Sequence, residues 1–228
     1  MQYLGGKCKL SKHISLIIME YLGDRTYVEP FVGGANVIDK ISGYRIGGDI
    51  HPELIALLQE LQNGWTPPTE ITKEDYYRIK NDTTSPLYLK GFVGFSCSFG
   101  GKWWGGFAKN KRGDNYAESG SRVLVKQALN FKDIQFVNGS YLDLGIPPNS
   151  LIYCDPPYKG TTGYKNNIDY DIFWDWCRTK TKEGHTVFIS EYNAPDDFEC
   201  ILEVKCKTVL DKNSQKERTE KLFKLKGK

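Results

Sequence analysis

Apolar residues recur at helical spacing between Ser11 and Leu22, where Ile14, Ile17, Ile18 and Tyr21 share one side before Gly23 stops the pattern. Strand character follows from Arg25 to Phe31, carried by Tyr27, Val28 and Phe31, and breaks at Val32-Gly33-Gly34 ahead of a helix-compatible run, Ala35 to Ile41. A second short strand, Tyr44 to Asp49, ends in an acid. It leads into an amphipathic helix over His51 to Leu61 with Pro52 in the first turn, where the missing amide hydrogen costs nothing. The pattern predicts a helix followed by a β-α-β-α unit.

Beyond Gly64 strand signals vanish. Trp65-Thr66-Pro67-Pro68 is a break, Thr72 to Lys80 reads as a helix capped by Thr72, and Pro86 to Phe95 is another apolar stretch. Ser96 to Asn115 is loop-like, and a helix runs from about Tyr116 to Phe131. Strands resume at Ile134 to Val137, Leu151 to Cys154 and Thr186 to Ser190, with a helix over Tyr170 to Thr181, and Cys200 to Leu210 with Thr219 to Leu225 form a closing antiparallel pair. The expected fold is α/β: a mostly parallel mixed sheet with helices on both faces, interrupted by an insertion. The division is 1–64, 65–132 for the helical and loop insertion, and 133–228.

Composition narrows the class. The 228 residues suffice for one α/β domain plus an insertion, and 39% hydrophobic with 26% charged residues is ordinary for a globular protein. No apolar run reaches membrane-span length, and no apolar core follows the basic residues near Met1, so neither a membrane span nor a signal peptide is expected and the location is cytoplasmic. Six scattered cysteines form no CxxC pair and three isolated histidines fit no metal pattern, so reduced thiols and no metal are expected. A net charge of +3 is too small to require a polyanionic partner, so the distribution of charge has to decide.

Candidate chemistry concentrates at strand ends. The buried-looking run Ser150 to Cys154 stops at Asp155-Pro156-Pro157-Tyr158: an acid and carbonyls to accept hydrogen bonds from an amine, prolines that fix the backbone, and a ring for stacking. The competing reading is a proline-terminated strand. The glycines of Glu29-Pro30-Phe31-Val32-Gly33-Gly34-Ala35-Asn36 lie where a cofactor can approach backbone without meeting a Cβ, although the full GxGxxG pattern is missing. Asp49, at the end of the second strand, stands where doubly wound folds place an acid for ribose hydroxyls; the alternative is a cap on the following helix. Gln2-Tyr3-Leu4-Gly5-Gly6-Lys7 brings an aromatic and a cation before the first helix. Gly101 to Arg112 combines Lys102, Lys109, Lys111 and Arg112 with Trp103, Trp104 and Phe107 and contains no acid, which suits phosphate contact with an aromatic wedge or else a hairpin whose tryptophans cover the core.

Taken together, Tyr3 to Lys7 with Leu10, Tyr27 to Asn36, Gly48-Asp49-Ile50, Gly94-Phe95-Ser96 and Tyr153 to Tyr158 resemble the Dam-type DNA adenine methyltransferases in content and order. The resemblance implies a Rossmann-like class I methyltransferase fold, S-adenosylmethionine as cofactor and DNA as partner. Tyr3, Lys7, Phe31, Gly33, Gly34, Asp49, Ile50 and Asp155 would then bind the cofactor. Asp155, Pro156, Pro157 and Tyr158 would act on the target adenine, and Lys102, Trp103, Trp104, Lys109, Lys111 and Arg112 would meet DNA. It further implies base flipping and direct methyl displacement onto the adenine amine by a monomer or weak dimer. The compact insertion departs from the family, so its recognition contacts are not carried over, and the glycine-bearing loop Lys159 to Asn167 is a candidate to close over the site. Related motifs also serve methylation of cytosine amines, RNA or protein glutamine, and a DNA-binding relative that lost catalysis is the competing class. Cys154 lacks the Pro-Cys setting of a cytosine-carbon nucleophile and reads as a buried strand residue.

Overall fold

The computed structural model describes the chain apart from residues 2, 4, 5, 8, 9, 110–114, 159–167, 209–215 and 228, and the backbone alone for 206–208 and 216–218. Helix α1 (Ser11–Leu22) buries Ile14, Ile18 and Leu22 and leads to strand β1 (Tyr27–Glu29), buried throughout. The helix expected over Ala35 to Ile41 is replaced by a single 3₁₀ turn, Ile38–Lys40. Gly33 at φ 47° and Ala35 at φ 55° take the chain twice through left-handed conformations, which prevents a helical nucleus from forming there.

Strand β2 (Arg45–Asp49) and helix α2 (Pro52–Gln62) follow. The insertion holds α3 (Lys73–Asn81), capped by Thr72 and Asp75 in a reciprocal box, then α4 (Leu87–Ser96) and α5 (Tyr116–Ala128). These helices pack on α2 and on one another rather than forming a separate body. The second half comprises β3 (Ile134–Asn138), β4 (Leu151–Cys154), α6 (Tyr170–Lys182), β5 (Thr186–Glu191), β6 (Phe198–Thr208) and β7 (Lys216–Leu225).

The seven strands lie in the order β3-β2-β1-β4-β5-β7-β6. Strands β1 to β5 are parallel, and β7 runs antiparallel to both neighbours, as expected for the mostly parallel Rossmann-like class I methyltransferase fold. Alternation along the central strands fills two cores: Leu151 and Tyr153 face α1 and α2, whereas Ile152 and Cys154 face Phe173, Trp174 and Cys177 of α6. Helices therefore cover both faces. Strand order reverses between β1 and β4, and in open α/β sheets a ligand crevice opens beside the carboxyl ends of the strands at such a point.

Candidate active site

Acids mark the carboxyl ends around that crevice. Glu29 ends β1, Asp49 ends β2, Asp155 follows β4 and Glu191 ends β5. A fifth acid, Glu220, comes from the antiparallel β7. One buried cation stands among them. Lys7, whose carbonyl accepts from the amides of Leu10 and Ser11 at the entrance to α1, places its Nζ 2.8 Å from Asp155 Oδ1 and 3.5 Å from Glu220 Oε2. The same ammonium lies 4.4 Å from the Tyr158 ring centre, and the Tyr158 hydroxyl donates to Glu220 Oε2 at 2.7 Å.

Burial governs the protonation of these groups. It pushes the Asp155 carboxyl up to about 6, against the Lys7 ammonium, while the charges of Glu220 and Glu191 add to the rise. Burial alone would lower the Lys7 pKa, but Asp155 and Glu220 more than offset it and hold the ammonium above the ordinary lysine value. Burial pushes Glu29 well above its ordinary carboxylate value, although the Tyr27 hydroxyl donates to it at 3.0 Å.

The Asp155 to Tyr158 turn is held from α6 and β5. The Tyr170 hydroxyl lies 2.6 Å from the Pro157 carbonyl and also meets the Glu191 carboxylate, and Tyr192 packs edge-on against Tyr158 with ring centres 4.5 Å apart. Among the described residues the Pro156 carbonyl receives no hydrogen bond, so it is the acceptor left for a ligand beside Asp155.

On the other side of the switch point, Asp49 ties two loops together. Its Oδ2 accepts from the Gly33 amide at 3.1 Å and its Oδ1 from the His51 amide at 2.9 Å. His51, not Asp49, is the residue at the helix cap position, so the competing cap reading of Asp49 does not describe this geometry. Burial pushes Asp49 up to about 6 despite those backbone bonds. Each oxygen keeps a lone pair for a further donor. Above the turn, a Cβ on Gly33 would stand 3.1 Å from the Tyr3 ring, which is itself stacked on Phe95 with centres 5.1 Å apart, and Gly34 packs under the same residue. Glycine is required at position 33 both by its φ and by this ring. Phe31 packs on Tyr141 and Phe173, while Ile50 stays 57% exposed beside Asp49 and Leu142 is exposed nearby in chain order after β3.

The structure thus joins Lys7 to Asp155 and Tyr158, and Tyr3 and Gly33 to Asp49, in two clusters at one end of the sheet. Trp103 and Trp104, expected to meet DNA, are half-buried among aromatic rings. Trp103 lies against His51 and Phe95, with ring centres 4.3 and 4.7 Å away, and Trp104 against Tyr76 at 5.0 Å. Both rings find aromatic partners because Gly94 leaves room: a Cβ there would sit 2.3 Å from Trp103. The outward aromatic is Phe99, 73% exposed, with Lys102 and Lys109 exposed in the same loop. Lys111, Arg112 and the loop 159–167 lie outside the described residues.

Sequence reading missed Glu29, Glu191, Tyr170 and Glu220. The first two carry a usable signal, an acid closing a parallel strand. Glu220 carries none, because it sits in a run of alternating charges, Lys216 to Lys221, that looks like any solvated edge strand.

Residues 3–90, which include Lys7, the glycine turn and Asp49, match the family of D12 class N6 adenine-specific DNA methyltransferases. Among curated proteins, the type II methyltransferase M.FokI of Planomicrobium okeanokoites is 27% identical over 209 residues; the match covers 78% of this chain but only 31% of that protein, so the chain spans about a third of that relative's length. Among solved structures, the rRNA methyltransferase aviRa of Streptomyces viridochromogenes has a TM-score of 0.47 at 13% identity, over 97% of this chain and 86% of that one. The tRNA (m1A58) methyltransferase TrmI of Aquifex aeolicus has 0.44 at 9%, over 99% and 70%. Among the described residues no cluster of three metal-binding side chains occurs, and no helix is long and apolar enough to cross a membrane.

Proposed function

We propose that the chain transfers a methyl group from S-adenosylmethionine to the exocyclic amine of adenine in DNA. The contact that carries this reading is the Lys7–Asp155 pair at the strand switch point, with the Tyr158 ring beside it and the open Pro156 carbonyl next in the chain. The family match and the named activity of the M.FokI relative support it.

The residues fit the cofactor. Asp49 has lone pairs for two ribose hydroxyls, exposed Ile50 offers an apolar surface for the cofactor's base, and the carboxylates around Lys7 outnumber it, which suits a sulfonium cation. When bound, the cofactor supplies the electrophilic methyl group. Asp155 and the Pro156 carbonyl accept the two amine hydrogens, which draws the nitrogen lone pair out of the ring and toward the methyl. As the new N–C bond forms, positive charge develops on the amine; Asp155 stabilises it and takes the proton that the nitrogen then releases. Tyr158 stacks on the base, a contribution of roughly 1–3 kcal/mol. Lys7 holds Asp155 ionised and aimed, and the site works by alignment.

Residues 65–132 act as the target-recognition insertion between a cofactor part, 1–64, and a catalytic part, 133–228. Lys102 and Lys109 contact phosphates, with Lys111 and Arg112 further along the loop, and Phe99 takes the wedge role against the duplex, because extruding a base costs a few kcal/mol that such contacts offset. Trp103 and Trp104 stiffen that loop. The chain acts in the cytoplasm as a monomer or weak dimer. Incubating the protein with labelled S-adenosylmethionine and duplex DNA, then sequencing modified bases, tests the reading. Label in adenine supports it; label in cytosine, RNA or protein glutamine alone, or none despite DNA binding, overturns it.

A further inference from the structure

We propose that Glu220 of β7 is a positioning residue for methyl transfer, holding the Tyr158 ring by its hydroxyl and Lys7 by its ammonium so that both stay aimed at Asp155. This rests on the functional reading above and adds to it an acid from a strand outside every motif.

The geometry is specific. Glu220 is 19% exposed, its Oε2 receives the Tyr158 hydroxyl at 2.7 Å, and the same oxygen lies 3.5 Å from Lys7 Nζ. Tyr158 is therefore held along its whole length, by the Asp155-Pro156-Pro157 turn at its backbone and by Glu220 at its far end. Without that anchor the ring would keep its packing against Tyr192 but lose the hydrogen bond from its hydroxyl end to Glu220. Stability alone does not explain the acid. Lys7 already has a carboxylate at 2.8 Å, and a second one beside Asp155 adds repulsion within a buried pair. Among the described residues the groups coupled to Glu220 are Lys7 from the segment before α1, Asp155 and Tyr158 after β4, and Tyr153 within β4.

The test compares Glu220→Gln, Glu220→Ala, Tyr158→Phe and the Ala/Phe double variant in the full chain, with circular dichroism as the folding control; the isosteric Gln keeps the question answerable where Ala unfolds. Expected are a kcat lowered roughly 10- to 100-fold in Glu220→Ala with KM for S-adenosylmethionine changed by less than about threefold, and partial rescue by Gln. The double variant loses less than the product of the two single losses, because both changes break the Tyr158–Glu220 contact while only Glu220→Ala also releases Lys7. The acid limb of the kcat/KM profile moves to lower pH in Glu220→Gln, since a charge that raises the Asp155 pKa has gone. A purely structural glutamate would not move that limb. Wild-type kcat and an unshifted limb in both variants, or additive losses in the double variant, overturn the positioning role while leaving the proposed function standing. A folded wild type that methylates no adenine removes the proposed function itself.

Discussion

On the proposed mechanism Asp155 answers two opposed demands, since it would be ionised to accept hydrogen bonds from the amine yet sits where burial favours its neutral form. Its balance near pH 6 predicts an acid limb in kcat/KM close to that value, visible in a pH profile of methylation. Replacing Asp155 by Ala should lower kcat by at least about 1000-fold, as expected when a major transition-state electrostatic contact is removed, with an unchanged circular dichroism spectrum. Asp49 follows the same logic for binding. Its carboxylate form accepts the hydroxyls, so cofactor affinity measured by calorimetry should weaken as pH falls through about 6, and Asp49→Asn should weaken it at neutral pH and flatten the dependence. The stability sign is opposite to that of a salt-bridged surface acid. Both acids hold protons more firmly folded than unfolded, so the folded chain binds more protons between the ordinary carboxylate pKa and about 6, and stability falls as pH rises through that window. The thermal midpoint without ligand should be higher near pH 5 than near pH 7, and the difference should shrink in Asp49→Asn.

At the scale of elements, the loop between α4 and α5 is organised by Trp103 rather than by its cations. The ring fills the space that Gly94 leaves open and touches His51 and Phe95, next to Asp49 and Tyr3. Trp103→Ala should cost about 3 kcal/mol in urea unfolding, the order found for emptying an aromatic site. A drop in DNA affinity with unchanged stability would instead mark the ring as a DNA contact. Helices α1 and α3 were legible in the sequence because their stop at Gly23 and cap at Thr72 are local signals. The turn after β1 was not: Ala35 has high helix propensity, and its left-handed backbone is imposed by packing beneath Tyr3 and the hydrogen bond from Gly33 to Asp49. The packing of the tryptophans was not legible for a related reason, since their aromatic partners come from α3, α4 and the residue before α2, and loop composition contains no record of them.

For the whole molecule, the mostly parallel, helix-covered character of the sheet was the most legible feature, because parallel strands buried on both faces carry continuous apolar runs such as Leu151 to Cys154. With a net charge of only +3, DNA affinity has to come from local cations. Lys102 and Lys109 replaced together by Ala should reduce the slope of log affinity against log salt by about 2, roughly one for each phosphate no longer neutralised. An unchanged slope would move the phosphate contacts elsewhere. Glu220 stayed invisible because its meaning depends on β7 threading between β5 and β6. That threading has a consequence for synthesis. Lys7 is made early and Glu220 late, and their pairing closes the longest loop in the site, so a nascent chain on the ribosome already holds the motif residues without the acid that fixes them. The aimed arrangement is completed only when the β6–β7 hairpin docks, so on the proposed function methylating competence should appear only after that hairpin has been translated.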